Sequence, residues 1–205
     1  RLPRRRRLGD GGEHAKQALA LGVELAGLLP PDQLDEPEGE VEGALRLGAE
    51  AERFHHVVAA FDLSRFERLV DLGGATGHLA MAACQRYPAL KATVFDLTEA
   101  MPLAKEIVGA FQFANRIEVV AGDFFTDPLP PGDLYALGRI VHDWTEEKIV
   151  KLLTRIYDSL PTGGAVLIAE KVLLDDKSGP RWAQMQNLNM LTCTEGKERT
   201  LGEYE

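Results

Sequence analysis

The sequence predicts a doubly wound α/β domain with a mostly parallel sheet. Three observations predict it. Short apolar runs alternate with helix-length stretches from Arg68 to Ala169. The stretch Arg68–Gly77, R-L-V-D-L-G-G-A-T-G, reads as a buried strand that breaks on glycines and restarts as a helix. The ends of five successive strands carry glycines or polar side chains, as ligand-binding strand ends do. Strands alternating with helices imply βαβ crossovers. Short, unbroken apolar strands imply helices on both faces of the sheet.

The elements follow in order. Ala15 to Leu28 is expected to be an amphipathic helix stopped by Pro30-Pro31, and the acidic stretch Asp32 to Glu42 a loop or linker. A second helix is expected from Glu50 to Ala60. The chain thus divides into a helical or irregular segment, residues 1–50, and a larger domain, residues 51–205. In the domain, strand Leu69–Leu72 leads to helix Gly77–Arg86, and strand Ala92–Phe95 to helix Ala100–Phe111, with Pro102 in its first turn. Strand Ile117–Ala121 follows. Strand Leu134–Ile140 leads to helix Thr145–Leu160, whose apolar positions 149, 152, 153, 156 and 160 share one face. Asp143 with Glu146 three residues on reads as its capping pair. Strand Ala165–Ala169, a polar turn at 175–180 and a helix from Arg181 to Leu191 complete the series, with no further strand before Glu205.

Composition narrows the partners. The chain has 205 residues, 45% hydrophobic and 27% charged, with a net charge of −9. A real core can form, and an acidic balance does not point to nucleic acid or an anionic membrane. Five of the first seven residues are Arg; they read as a solvated basic tail. Asp10, Glu13 and Glu24 argue against a signal peptide, and no stretch approaches ~18 continuous apolar residues. Cys84 and Cys193 lack metal or redox spacing, so a reduced cytoplasmic protein is expected. The chain begins at Arg1 and not Met, which reads as a processed form or fragment.

The strand ends propose a nucleoside site. Gly73, Gly74 and Gly77 bring bare backbone close to a ligand. Asp96 lies nineteen residues after Gly77, near the ~20-residue spacing at which a carboxylate accepts ribose hydroxyls. Gly122-Asp123-Phe124 offers a close-approach glycine, a carboxylate for an adenine amino group and a ring to stack on it. The fourth strand ends in Arg139 and His142-Asp143-Trp144, and the fifth in Glu170. Taken singly, Asp96 and Asp123 also read as helix caps, and His142 as a helix-terminal residue bonded to backbone. Trp144 reads as packing, His78 as part of the first helix, and His55 and His56 as helix-surface residues. A dinucleotide fingerprint needs G-x-G-x-x-G, but from Gly73 the chain places Ala75 and His78 at the second and third glycine positions. The spacing Asp71-x-Gly73-x-Ala75-x-Gly77 resembles the D/E-x-G-x-G-x-G motif of S-adenosylmethionine-dependent methyltransferases, and the loop holds no Lys or Arg for a pyrophosphate.

Three further runs carry a more specific resemblance: R-I-V-H-D-W-T from Arg139, V-L-I-A-E ending at Glu170, and N-L-N-M-L-T-C-T-E-G-K-E-R-T from Asn187. From about Phe61 to Glu205 the chain resembles the small-molecule S-adenosylmethionine-dependent O-methyltransferases of the plant caffeate and flavonoid type. Within them it looks closest to the acetylserotonin O-methyltransferase branch. The resemblance implies a Rossmann-like class I methyltransferase fold with S-adenosyl-L-methionine as cofactor. It makes His142 the catalytic base, with Glu170 and Glu198 flanking it. Asp143 and Asn189 are implied at the substrate, and Gly73, Asp96, Gly122, Asp123, Phe124 and Arg139 at the cofactor. Plant members carry Lys where this chain has Gly138, which changes one cofactor contact.

The resemblance further implies a small aromatic acceptor, no metal, and a homodimer for the full-length protein. Family members carry about a hundred residues ahead of this region and two more strands after it, so the expectation is a cofactor-binding core cut at both ends, its sheet ending before the last two strands. The chemistry agrees. A phenol titrates near the ~10 of Tyr, and imidazole is a suitable base near neutral pH. Two other readings stay open: a non-catalytic cofactor-binding or assembly module of the same fold, and a nicotinamide-dependent oxidoreductase, which the loop spacing disfavours.

Overall fold

The computed structural model describes residues 54–204; the expected helix Ala15–Leu28, the linker and the start of the second helix lie outside them. Residues 54–60 are helical (α1). The core elements are β1 (Arg68–Leu72), α2 (His78–Arg86), β2 (Lys91–Asp96), α3 (Met101–Gly109), β3 (Ile117–Ala121), β4 (Leu134–Gly138), α4 (Glu146–Ser159) and β5 (Ala165–Ala169). Beyond them come β6 (Val172–Leu173), α5 (Arg181–Cys193), β7 (Arg199–Thr200) and α6 (Leu201–Tyr204).

The main sheet has the order β3-β2-β1-β4-β5, and every pairing in it is parallel. The chain winds outward from β1 to β3, returns across the sheet, and continues from β4 to β5. The reversal of winding lies between β1 and β4, which pair at Leu69↔Leu134 and Asp71↔Ala136. In such sheets the crevice outside the strand carboxyl ends at that reversal is where ligands bind.

Strand alternation divides the core in two. Leu69, Ala92, Val94, Leu134, Ala136 and Leu167 face one layer with Val58 of α1, Leu79 and Ala83 of α2, and Val108 of α3. Val70, Leu72, Phe95, Tyr135, Leu137 and Ile168 face the other, with Leu152 and Ile156 of α4. Both faces are covered, so the strands carry no polar alternation.

Three local readings are corrected. The strand expected to reach Ile140 stops at Gly138, because Arg139 takes a left-handed φ of 61° and turns the chain into a 3-10 turn, Val141–Asp143. The cap of α4 is Thr145, whose hydroxyl accepts from Lys148 N at 3.4 Å; Asp143 is part of the preceding turn. A small parallel pair, Val172↔Arg199 and Leu173↔Thr200, forms where no further strand was expected. Among the described residues no helix is long and apolar enough to cross a membrane.

Candidate active site

The turn from β1 into α2 forms the floor of the site. Gly73 has φ 68° and Gly77, the N-cap of α2, has φ 78°. Those left-handed conformations suit glycine and let the strand reverse sharply into a helix. Ala75 shares the left-handed region at φ 43°. Its N–H donates to Asp96 Oδ2 at 2.8 Å, and Leu97 N donates to Asp96 Oδ1 at 2.7 Å. Asp96 therefore ties the end of β2 to the glycine turn. Each of its oxygens keeps a lone pair for a further donor, as two ribose hydroxyls require.

Beneath the turn lies Asp71, only 2% exposed. Its Oδ2 accepts from Ala80 N at 3.2 Å. Burial pushes its carboxyl up to about 7; the Ala80 hydrogen bond opposes that and the charge of Asp96 adds to it. Asp71 is the acidic start of the Asp71-x-Gly73-x-Ala75-x-Gly77 motif.

Gly122, Asp123 and Phe124 stand at the end of β3. Gly122 N donates to Asp96 O at 2.9 Å, and Phe95 packs where a Cβ at 122 would project. Asp123 Oδ1 accepts from Phe125 N at 2.7 Å, so it caps its own turn and not a helix. Phe124 meets Phe125 edge-on and Trp144 at 6.3 Å. Trp144 is a packing residue, as expected, with Lys148 Nζ 4.7 Å from its ring centroid.

Six expected residues, Gly73, Asp96, Arg139, His142, Asp143 and Asn189, line one cleft of about 490 Å³. Gly122, Asp123 and Phe124 adjoin it without lining it, and Glu170 and Glu198 stand behind His142. The cleft also takes in Asp71, the acidic start of the motif, with His78 and Met190; Thr76 and Gln186, which carry no motif signal, line it as well. His78 does belong to α2, and its Nδ1 lies 2.6 Å from Thr76 Oγ1. At Gly138, a Cβ would lie 3.0 Å from the Phe54 ring and 3.2 Å from Leu79, so both side chains pack close where the plant-type lysine would start.

His142 sits in the 3-10 turn after β4, 3% exposed. Its Nδ1 is 2.8 Å from Glu198 Oε1 and 3.3 Å from Glu170 Oε2. Its Nε2 is 3.7 Å from Asp143 Oδ1. The other oxygen of Glu170, Oε1, accepts from Val141 N at 2.7 Å, which locks that carboxylate against the turn. Glu198 is 1% exposed and its backbone N donates to Asn187 Oδ1 at 2.9 Å.

Burial pulls the His142 pKa down, but the Glu198 hydrogen bond and the charges of Glu170, Glu198 and Asp143 together leave it raised. Burial pushes Glu170 up to about 7, despite His142 and its backbone donors. Asp143 is raised by burial against the pull of His142 and Arg139. With Nδ1 bonded to Glu198, Nε2 is the nitrogen left for the cleft. The ligand atoms of His142, Glu170 and Glu198 all lie within 4.8 Å of one another, a spacing a cation could bridge. A direct Nδ1–Glu198 hydrogen bond satisfies the same atoms with a proton, and a cation would have to break it.

The cleft lies outside the strand carboxyl ends of a doubly wound sheet, with the carboxylate-held His142 on its wall. The chain belongs to the O-methyltransferase domain family, whose sequence profile matches residues 50–205. It is 47% identical over 149 residues to a human probable bifunctional dTTP/UTP pyrophosphatase/methyltransferase protein, a match covering 73% of this chain and 24% of that one. It is also 47% identical over 148 residues to human acetylserotonin O-methyltransferase, covering 72% and 43%. Human N-acetylserotonin methyltransferase in complex with S-adenosylmethionine has a similar structure, with a TM-score of 0.67, 37% identity, and coverage of 96% of this chain and 60% of that one. The alignments thus span from 24% to 43% of the length of these two curated relatives.

Proposed function

We propose that this domain transfers a methyl group from S-adenosyl-L-methionine to the hydroxyl of a small aromatic molecule, with His142 as general base. One observation carries the reading: a buried imidazole whose Nδ1 is bonded to Glu198 at 2.8 Å, so that Nε2 is left to the cleft. Family membership and the relatives that methylate acetylserotonin support it.

The residues present fit the cofactor. The close-approach glycines Gly73 and Gly74 and the Asp96 carboxylate suit an adenosyl group and its amino-acid tail, and the adjoining Gly122-Asp123-Phe124 turn suits the adenine. Bound there, the cofactor supplies a sulfonium-activated methyl group. The protein's share is to bring the acceptor oxygen into line and remove its proton. His142 Nε2 takes that proton. The imidazolium so formed keeps its Nδ1–H on Glu198, a charge-assisted hydrogen bond that strengthens as charge develops. Asp143 and Asn189, on the same cleft, are the residues to hold the acceptor's polar substituents.

The test pairs calorimetry with turnover. S-adenosylhomocysteine should bind wild type and His142→Ala alike, while His142→Ala methylates a hydroxyindole or phenol about 10²–10⁴-fold more slowly. Unchanged turnover in His142→Ala would overturn the assignment of the base.

A further inference from the structure

Arg199 is next to Glu198 in sequence, 3% exposed, and bonded to four oxygens. Its Nη1 donates to Val141 O at 3.2 Å and Lys197 O at 2.9 Å; its Nη2 donates to Trp144 O at 3.0 Å and Glu146 Oε1 at 3.3 Å. Val141 and Trp144 bracket His142 and Asp143. One guanidinium therefore grips both ends of the turn that carries the histidine. A planar fork with its five donors can do this; an ammonium, a single point of attachment, cannot span the same pair of carbonyls.

A second observation places the same segment against the same turn. A Cβ at Gly196 would lie 2.2 Å from His142 O and 2.6 Å from Trp144 N. Residues 196–199 thus press on the back of the turn whose front faces the cleft. From that segment Glu198 reaches Nδ1 at 2.8 Å, so the distance between base and carboxylate depends on how the segment and the turn are held together.

We propose that Arg199 is a positioning residue for the base: it holds the Val141–Trp144 turn in register with residues 196–199, keeping Glu198 on Nδ1 and Nε2 in the cleft. The inference rests on the reading of His142 as base.

Arg199→Lys keeps the charge and tests the fork; Arg199→Gln removes both. For each, four quantities are measured: S-adenosylhomocysteine affinity, kcat and KM for a phenol acceptor, and the downfield proton NMR signal of the His142 Nδ1–H. In both variants affinity and KM should stay within about twofold. Lys should lower kcat about tenfold and Gln about 100-fold, the scale set by up to ~1 Å misplacement of a reacting group. The Nδ1–H signal should broaden or disappear. Wild-type kcat with an intact signal in Arg199→Lys overturns the proposal. Loss of cofactor affinity in Arg199→Lys also overturns it, since Arg199 would then be a scaffold residue. Full activity in His142→Ala would sink the base assignment instead, while the Nδ1–H signal would still decide what Arg199 does.

Discussion

Glu198→Gln isolates the electrostatics of the base. The side chain is fully enclosed, and Gln keeps an oxygen for the His142 Nδ1–H, so the shape and the 2.8 Å contact can survive the change. What is lost is the negative charge. A hydrogen bond to a charged partner contributes about 1.5–3 kcal/mol, and a neutral one about 0.5–1.5. The difference of about 1 kcal/mol or slightly more is close to one pKa unit. Glu198 raises the His142 pKa, so its neutralisation lowers it, and the acid limb of kcat/KM against pH moves to lower pH. Glu170 offsets part of this. Its own pKa, about 7, is raised in part by Glu198, so it ionises more readily once that charge is gone. The expected displacement is therefore about half a unit to one unit. At pH 8 the rate should fall by about threefold to tenfold at most, because the imidazolium formed on deprotonation is less stabilised. The assay is a pH profile of kcat/KM at saturating cofactor. A limb that stays in place, or moves to higher pH, refutes the reasoning.

Other outcomes follow from the same geometry. Asp96→Ala should weaken S-adenosylhomocysteine binding by about 2–3 kcal/mol, because two ribose hydroxyls would lose a charged acceptor; isothermal calorimetry reads this directly. Asp71→Asn should flatten the pH dependence of stability. The folded pKa of Asp71, about 7, lies above the ordinary carboxylate range, so the native state holds a proton the unfolded chain gives up, and stability falls as pH rises from about 4 to 7. Melting temperatures across that range should converge for the variant at low pH and favour it at pH 8. Ala75→Gly relieves a left-handed alanine. A cost of about 1–2 kcal/mol, less the added chain entropy of glycine, leaves a gain of roughly 0.5–1 kcal/mol, visible as a melting temperature a few degrees higher.

The sheet and its ligand edge were legible because their signals are local and repeated. The glycine turn, Asp96 and the Gly122–Phe124 turn each mark a strand end in the sequence itself. Apolar positions 149, 152, 153, 156 and 160 announced the buried face of α4, and all five join one core cluster. What the sequence concealed depends on tertiary contact. Nothing in R-I-V-H-D-W marks Arg139 as left-handed; that conformation arises where β4 ends and the chain must place His142 over the cleft. Thr145 rather than Asp143 caps α4 because the 3-10 turn has already taken Asp143. The grip of Arg199 on the turn was hidden because two of its four partners, Val141 O and Trp144 O, are backbone carbonyls more than fifty residues away, and carbonyls leave no trace in a sequence. The two-residue strands β6 and β7 are too short for periodicity to register.

The central claim, that His142 removes the acceptor's proton, is tested most directly by single-turnover methylation with phenols of graded acidity. His142→Gln and wild type would be compared at pH 8 with saturating S-adenosylmethionine. For acceptors with a pKa near ~10, the variant should be about 10²–10⁴-fold slower. For phenols whose pKa lies below the assay pH, already ionised, the two enzymes should approach the same rate. A deficit equally large for every phenol, or no deficit at all, would contradict the account.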